Sequence, residues 1–122
     1  MSKIGLLYIN LNGINTQGEN IADNGGIKES YLAYNSWVKR NGPEQRLPGL
    51  DFTSEQMFWI SAANTWCSVY RPEALKIRVL TGYHSPGNFR VLGPLSNLAE
   101  FSKDFNCPSG SKMNPVHKCS VW

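Results

Sequence analysis

The chain has 122 residues, of which 41% are hydrophobic and 17% are charged, so its composition indicates one folded domain rather than a disordered chain. The net charge of +3 comes without a long basic run, which argues against a nucleic-acid-binding protein. The apolar run near the start is far shorter than the ~20 residues that span a bilayer, so we expect no direct membrane contact by this segment.

The first predicted helix runs from about Thr16 to Lys39. Its apolar residues recur three and four positions apart, which is typical of a helix with one buried stripe; they are Ile21, Ala22, Ile27, Tyr31, Tyr34, Trp37 and Val38. Thr16 and Glu19 have the spacing of a capping box, which would start the helix at Thr16. Asn41-Gly42-Pro43 is a helix stop signal.

Two acids in this helix, Glu19 and Asp23, lie four positions apart in the run GENIADNGG. This spacing places both carboxylates on one helix face, where like charges repel by about 0.2–0.5 kcal/mol. Two interpretations remain open from the spacing alone. Either Glu19 caps the helix and Asp23 is a solvated acid, or both acids face a cation such as an arginine, a histidine or a metal ion.

A second helix is predicted from the capping box at Thr53 to about Cys67. It is apolar on several sides, which predicts either an ordinary core helix or exposed Phe58, Trp59 and Trp66 that require a partner domain. Arg71-Pro72-Glu73 opens a third helix, with proline at its first position, that ends near Leu80.

The remaining segments are less regular. Phe89–Leu92 has a strand-like composition. Ser96 or Asn97 caps a fourth helix that reaches about Phe105, and Pro108–Pro115 is rich in turn-forming residues. The sequence therefore predicts a mainly α fold with about four helices and short irregular connections.

The three cysteines are Cys67, Cys107 and Cys119. They form no C-x-x-C pair, so the spacing argues against a zinc knuckle. From the residues alone, free thiols are the simplest interpretation of this odd number.

Four short runs occur in an order that resembles one known family. They are GENIADNGG at Gly18–Gly26, YRPE at Tyr70–Glu73, HSPGNFR at His84–Arg90 and CSVW at Cys119–Trp122. Together they resemble the neprilysin family of zinc metallopeptidases, which includes neprilysin and the endothelin-converting enzymes. The resemblance covers about Leu11 to Trp122 and leaves Met1–Asn10 as an unmatched N-terminal arm. It implies the C-terminal helical part of a thermolysin-like (gluzincin) catalytic domain.

The resemblance implies roles for the two acids. Glu19 corresponds to the third ligand of one zinc ion, Zn²⁺, whose two histidine ligands would come from outside this chain. Asp23 corresponds to an outer acid that accepts a hydrogen bond from a zinc-bound histidine and so fixes the orientation of that ring.

Three further residues correspond to substrate-handling residues of the family. The resemblance implies that His84 donates a hydrogen bond to the carbonyl oxygen under attack, a contact worth about 2.7–4 kcal/mol. It implies that Arg90 binds the substrate backbone and can pair with the outer acid. It places Trp66 beside the S1′ pocket for large hydrophobic side chains, with Thr65 where valine is commoner.

The sequence has no H-E-x-x-H motif, which in such enzymes supplies two zinc ligands and the general base. Its histidines are His84 and His117, and we assign His117 no role. We therefore expect the upstream part of the same peptidase to be the partner of this segment and the chain alone to be inactive. The alternative is a truncated relative without catalytic function.

The resemblance also implies properties of the complete enzyme. It would cleave short peptides on the amino side of hydrophobic residues, at the extracellular face of the plasma membrane or as a secreted enzyme. Cys67, Cys107 and Cys119 would then form disulfides with cysteines outside this chain.

Overall fold

The computed structural model describes residues 10–121, which form a helical segment without an extended strand. The helices are α1 Gly13–Asn41, α2 Ser54–Asn64, α3 Pro72–Thr81, α4 Gly87–Asn97 and α5 Ala99–Asp104. Within this range the β-pairing is one isolated bridge between Ser111 and Asn114. The prediction of a mainly α fold is confirmed, although the helices number five rather than about four. The predicted arm Met1–Asn10 lies almost wholly outside the described residues.

Helix α1 begins before the predicted position, and the capping box at Thr16 is wrong. Asn12 is the cap: its Oδ1 accepts a hydrogen bond from the backbone N–H of Ile14 at 3.0 Å. Thr16 lies one turn inside the helix and is 1% exposed. The stop signal is confirmed, since the N–H of Gly42 bonds to Val38 at 2.8 Å with φ at +84°, a conformation that favours glycine.

Helix α2 has the predicted capping box in full. The hydroxyl of Thr53 accepts from the N–H of Gln56 at 3.2 Å, and the Gln56 side chain accepts from the N–H of Thr53 at 3.0 Å. The helix ends at Asn64 rather than Cys67, because Trp66 and Cys67 bond to carbonyls three residues back and so tighten the last turn.

Helix α3 agrees with its prediction, whereas Phe89–Leu92, despite its strand-like composition, lies in helix α4. Proline opens α3 at Pro72. The N–H groups of Phe89 and Arg90 both bond to the carbonyl of Pro86, and these bonds start α4.

The predicted fourth helix corresponds to α5 alone, which spans Ala99–Asp104 and follows the additional helix α4, and its predicted cap is wrong. Pro94 lies inside α4 and provides no N–H, and the chain becomes extended at Leu98 before α5 begins. Asn97 caps neither helix; its side chain instead bonds to Asn24 of α1 and to the N–H of Cys119.

The core lies where α1, α2, α4 and α5 meet, at Tyr31, Trp59, Leu95 and Leu98. Trp59 is 1% exposed, so the prediction that it requires a partner domain is wrong. The hydroxyl of Tyr31 and the indole N–H of Trp59 both donate to Asp104 of α5, at 2.5 and 2.8 Å. These bonds satisfy the polar atoms that the aromatic core buries.

The predicted apolar stripe of α1 is only partly buried. Tyr31 is in the core and Ile27 and Tyr34 pack against it, but Ile21 and Trp37 are 40% and 42% exposed. The predicted irregular segment Pro108–Pro115 is confirmed as a series of turns. Among the described residues, every helix is too short or too polar to cross a bilayer.

Candidate active site

The N-terminal half of α1 faces the start of α4 and the residues just before it, and two contacts between an acid and a basic side chain join them. Glu19 Oε2 lies 3.0 Å from His84 Nε2. One turn further along α1, Asp23 pairs with Arg90. The face shared by the two acids therefore meets a histidine and an arginine. The interpretation of Glu19 and Asp23 as a cap and a solvated acid does not hold.

The Asp23–Arg90 pair is bidentate and well shielded. Arg90 donates from Nε to Oδ2 at 2.7 Å and from Nη2 to Oδ1 at 2.6 Å. The two side chains are 14% and 11% exposed. These hydrogen bonds raise the pKa of Arg90 above its usual value, against the opposing effect of burial. The pairing of Arg90 with the acid, which the resemblance implies, is thus present.

Trp66 covers the other side of the same guanidinium. Its ring centroid lies 3.7 Å from Cζ of Arg90, which is a close cation–π contact. Nε and Nη2 of Arg90 bond to Asp23. Nη1 makes no hydrogen bond to any of residues 10–121. Arg90 is therefore fixed in position and still offers N–H groups to a ligand.

Glu19 and His84 differ from this pair because both are accessible. Their side chains are 45% and 46% exposed. An exposed pair of this kind contributes ~0–1 kcal/mol to stability. Its two members are thus available to bind groups that come from outside the segment.

A network of small polar residues lies beneath the exposed pair, and the sequence analysis missed it. Ser85 Oγ donates to Asn20 Oδ1 at 2.8 Å, and Asn20 Nδ2 donates to Thr16 Oγ1 at 3.0 Å. Ser85 and Thr16 are 2% and 1% exposed. Asn20 and Ser85 directly follow Glu19 and His84, and that adjacency was the available signal.

Gly87 was also missed, although it allows the closest backbone contact at the site. A Cβ atom at this position would lie 2.5 Å from the carbonyl oxygen of Trp66. Such a distance is far below van der Waals contact, so only glycine lets the His84 loop pack against Trp66. The glycine in the HSPG run was the corresponding signal.

A cavity of about 280 Å³ opens beside this cluster, lined by Asp23, Arg90, Thr65, Trp66 and apolar residues of α1, α2 and α4. A larger cavity of about 610 Å³ lies against Thr65 on the side of the 42–53 loop. None of Glu19, Asp23, His84 or Arg90 lines the larger cavity. Of these two cavities, the smaller one therefore contacts the site. A third cavity, of about 380 Å³, also reaches Asp23 and Arg90, from the side of Asn20 and Ser85.

The donor atoms of this segment fit one position of a zinc site rather than a complete one. Residues 10–121 contain no group of three His, Cys, Asp or Glu side chains placed to hold a metal ion. Glu19 is an accessible carboxylate, while both oxygens of Asp23 already accept bonds from Arg90. Zinc takes three protein ligands in catalytic sites, so Glu19 can contribute one of them.

The remaining candidates are not in this cluster. His117 is exposed in the C-terminal segment. Cys67 and Cys119 are exposed and Cys107 is half-buried, and all three are free thiols here.

Comparison with known proteins places the chain in a family. A model of Peptidase family M13 matches residues 2–121. The chain belongs to peptidase family M13. This is a family of zinc metalloendopeptidases. The match confirms the resemblance to the neprilysin family that was drawn from four motifs. The match also extends over most of the arm that the sequence analysis left unmatched.

Relatives from insects and mammals agree with this assignment. The chain is 68% identical over 114 residues to Neprilysin-2 of Drosophila melanogaster and 54% identical over 112 residues to neprilysin of Homo sapiens. It is 57% identical over 112 residues to the endothelin-converting enzyme homolog of Locusta migratoria. These matches cover 92–93% of this chain, which spans about 15% of the length of each relative.

A solved structure shares the fold. A chain of the Haemonchus galactose containing glycoprotein complex superposes with a TM-score of 0.87 at 47% sequence identity. The match covers 92% of this chain and 20% of that chain. The helical arrangement described here is thus that of a segment of an M13 protein.

Proposed function

We propose that this segment is one side of the active site of an M13 zinc endopeptidase, with Glu19 as a zinc ligand. The observation that carries the proposal is the pairing of Glu19 with His84 and of Asp23 with Arg90 across one helix face. Glu19 is the more accessible of the two acids. A ligand must be accessible if the other ligands of the same ion come from a different part of the protein.

Glu19 would hold the zinc ion together with ligands from outside the segment, and the bound ion would supply polarisation of the peptide carbonyl and activation of a water molecule. The residues of this chain act around that chemistry. His84 donates a ring N–H to the oxygen that gains negative charge, and its Nε2 lies 3.0 Å from the carboxylate of Glu19. Arg90 binds a backbone carbonyl of the peptide through its free N–H groups.

Asp23 has two tasks in this proposal. It fixes Arg90 through two bonds. A carboxylate accepts up to about four hydrogen bonds, so Asp23 retains capacity for a zinc-bound histidine from outside the segment. The role that the resemblance implies for Asp23 is compatible with its pairing to Arg90.

The cavity beside Trp66 supports the preference for a hydrophobic side chain after the cleaved bond. Its volume of about 280 Å³ accommodates one large side chain, and Trp66 and Leu95 line it. Thr65 also lines this cavity, at a position where valine is commoner in the family.

The experiment that tests the proposal is a chimera. This segment replaces the matching 114 residues of Drosophila Neprilysin-2, to which it is 68% identical. We expect the chimera to bind one zinc ion and to hydrolyse a short peptide. Glu19→Gln should remove zinc and reduce kcat/KM by more than about 100-fold, because even partners outside the ligand shell affect metal affinity or activity by 10–100-fold.

Glu29→Gln is the matched control, since Glu29 is an exposed acid of the same helix. It should leave zinc content and activity unchanged. Zinc retained at one ion per chain in the Glu19→Gln chimera would refute the assignment.

The alternative function is a non-catalytic family member, which the absence of a three-ligand group within residues 10–121 favours. The same chimera separates the two. A chimera that folds and contains zinc but hydrolyses no peptide would indicate that this segment has lost catalytic competence.

Location and disulfides complete the proposal. We infer an extracellular site of action, where Cys67, Cys107 and Cys119 pair with cysteines outside this segment; two of the three are exposed. Peptide mapping of the chimera without reduction tests this. Three unmodified thiols under oxidising conditions would contradict it.

A further inference from the structure

The contact between Glu19 and His84 is too weak to determine where the imidazole stands. Both side chains are nearly half exposed, and exposed ion pairs contribute ~0–1 kcal/mol. His84 also lies outside the helices, between α3 and α4, so no helical backbone fixes it. Some other contact must hold this part of the chain against α1.

The next residue along the chain provides that contact. Ser85 is 2% exposed, and its hydroxyl donates to Asn20 Oδ1 at 2.8 Å. The amide of Asn20 donates in turn to Thr16 Oγ1 at 3.0 Å. The hydroxyl of Thr16 donates to the backbone carbonyl of Asn12, the cap residue of α1, at 3.5 Å. The bonds therefore run in one direction from the loop to the start of the helix.

The two contacts with α1 are made by adjacent residues on both sides. Glu19 and Asn20 are neighbours on the helix, and they contact the neighbours His84 and Ser85 on the loop. Neighbouring helix residues point about 100° apart. A loop bonded at both positions is fixed in rotation around the helix as well as in distance from it.

We propose that Asn20 is a positioning residue that holds His84 beside Glu19 through its hydrogen bond to Ser85. The inference rests on the proposed function in one respect, namely that His84 acts on the substrate. Asparagine suits the position because one amide both accepts from Ser85 and donates to Thr16. An aspartate would offer no N–H to Thr16 and would place a third negative charge beside Glu19 and Asp23.

The structural test uses nuclear Overhauser effects in the 122-residue chain. The native chain should show cross-peaks between the ring protons of His84 and the methylene protons of Glu19. Asn20→Ala should abolish them while helical circular dichroism is retained. Ser85→Ala removes the other partner of the same hydrogen bond and should also abolish the cross-peaks. It replaces Asn20→Ala in the test if that substitution lowers the helix content.

The chain offers a matched control at Asn24. This asparagine lies one turn further along α1 and also joins it to a distant residue, since Asn97 Nδ2 donates to Asn24 Oδ1 at 2.8 Å. Asn24→Ala should leave the cross-peaks unchanged. Cross-peaks that persist in Asn20→Ala, or that vanish equally in Asn24→Ala, would overturn the proposal.

The kinetic test uses the Neprilysin-2 chimera. Asn20→Ala should lower kcat about 10–100-fold with little change in KM, because a misplaced His84 affects the transition state more than substrate binding. The double variant Asn20→Ala/Ser85→Ala should be no slower than either single variant, since both remove the same link. Additive losses, or a loss confined to KM, would contradict a positioning role.

The two tests separate failure of this inference from failure of the proposed function. If the native chimera is inactive, the peptidase proposal fails while the cross-peaks still decide the role of Asn20. If the chimera is active and Asn20→Ala leaves kcat unchanged, the inference fails and the peptidase proposal stands.

Discussion

Arg90 and Asp23, 67 positions apart in the sequence, form a bidentate pair with N–O distances of 2.6 and 2.7 Å. The pair joins the middle of α1 to the first turn of α4 in a largely buried position. Since the aromatic ring of Trp66 covers the same guanidinium, three separate parts of the chain converge on one charged group. Asp23 is thus a structural element of this segment in addition to its proposed place near zinc.

The first prediction concerns this acid. Asp23→Asn removes the charge but keeps the shape, and it leaves the guanidinium of Arg90 shielded without a counter-charge. We expect the free energy of unfolding to fall by about 2–3 kcal/mol, because loss of one partner from a buried ion pair is strongly destabilising. Urea denaturation followed by circular dichroism measures this.

Asp51→Asn is the control for the loss of an acid, since Asp51 is exposed in the loop before α2. It should change stability by less than about 0.5 kcal/mol. Equal effects of the two substitutions would show that the Asp23–Arg90 pair contributes nothing specific.

The second prediction compares two glycines of α4. A Cβ at Gly87 would meet the Trp66 carbonyl oxygen at 2.5 Å, whereas a Cβ at Gly93 would meet nothing within 4 Å. Gly87→Ala should therefore destabilise the chain by about 1–3 kcal/mol or more, as overpacking does. Gly93→Ala should change the stability by less than about 0.5 kcal/mol, because the helix preference of alanine is offset by crowding between its Cβ and the ring of Pro94, the next residue.

The midpoint of urea denaturation should thus fall clearly for Gly87→Ala and stay nearly unchanged for Gly93→Ala. Gly87→Ala should also shift the fluorescence of Trp66, which must move with its backbone. A stable Gly87→Ala variant with unchanged spectra would mean that the loop has room at this position.

The sequence predicted those helices whose signals are local. Thr53 with Gln56 and Pro72 mark the starts of α2 and α3, and a two- or four-residue pattern is enough to identify each. At the start of α1 two caps compete, and Asn12 prevails over Thr16. The strand-like composition of Phe89–Leu92 gives no strand, because the turn at Pro86 and packing against α1 outweigh the local preference for extended structure.

The site was predictable only in part. The motifs identified Glu19, Asp23, His84 and Arg90, and the structure brings all four together. The link between Asn20 and Ser85 joins residues 65 positions apart, and neither residue type is unusual by itself. Their adjacency to Glu19 and His84 in the sequence marks the two positions, but the hydrogen bond between them is visible only in the folded arrangement.

The third prediction concerns the start of α2. Thr53→Ala removes both the acceptor for the N–H of Gln56 and the reciprocal geometry of the capping box. We expect a loss of about 1 kcal/mol in the free energy of unfolding. Thr53→Ser keeps a hydroxyl and should retain most of that stability. If urea denaturation gives equal losses for alanine and serine, the hydroxyl is not the stabilising group.

The fourth prediction is a loss of stability at alkaline pH that originates at Tyr31. Burial and the neighbouring carboxylate of Asp104 raise the pKa of Tyr31 well above its usual value of 10.0. The folded chain therefore holds this proton more tightly than the unfolded chain does. The contribution of Tyr31 is fully present below pH 10 and is lost as the pH rises beyond it, by up to about 1.4 kcal/mol per pH unit.

Tyr31→Phe should remove this part of the alkaline slope. The measurement is the free energy of unfolding between pH 8 and pH 11, compared at each pH with the native chain. Tyr34→Phe is the control, because the pKa of Tyr34 is also raised but its hydroxyl bonds to the exposed Glu44. It should have the smaller effect. If the native chain and Tyr31→Phe lose stability in parallel as the pH rises, a group other than Tyr31 dominates the slope.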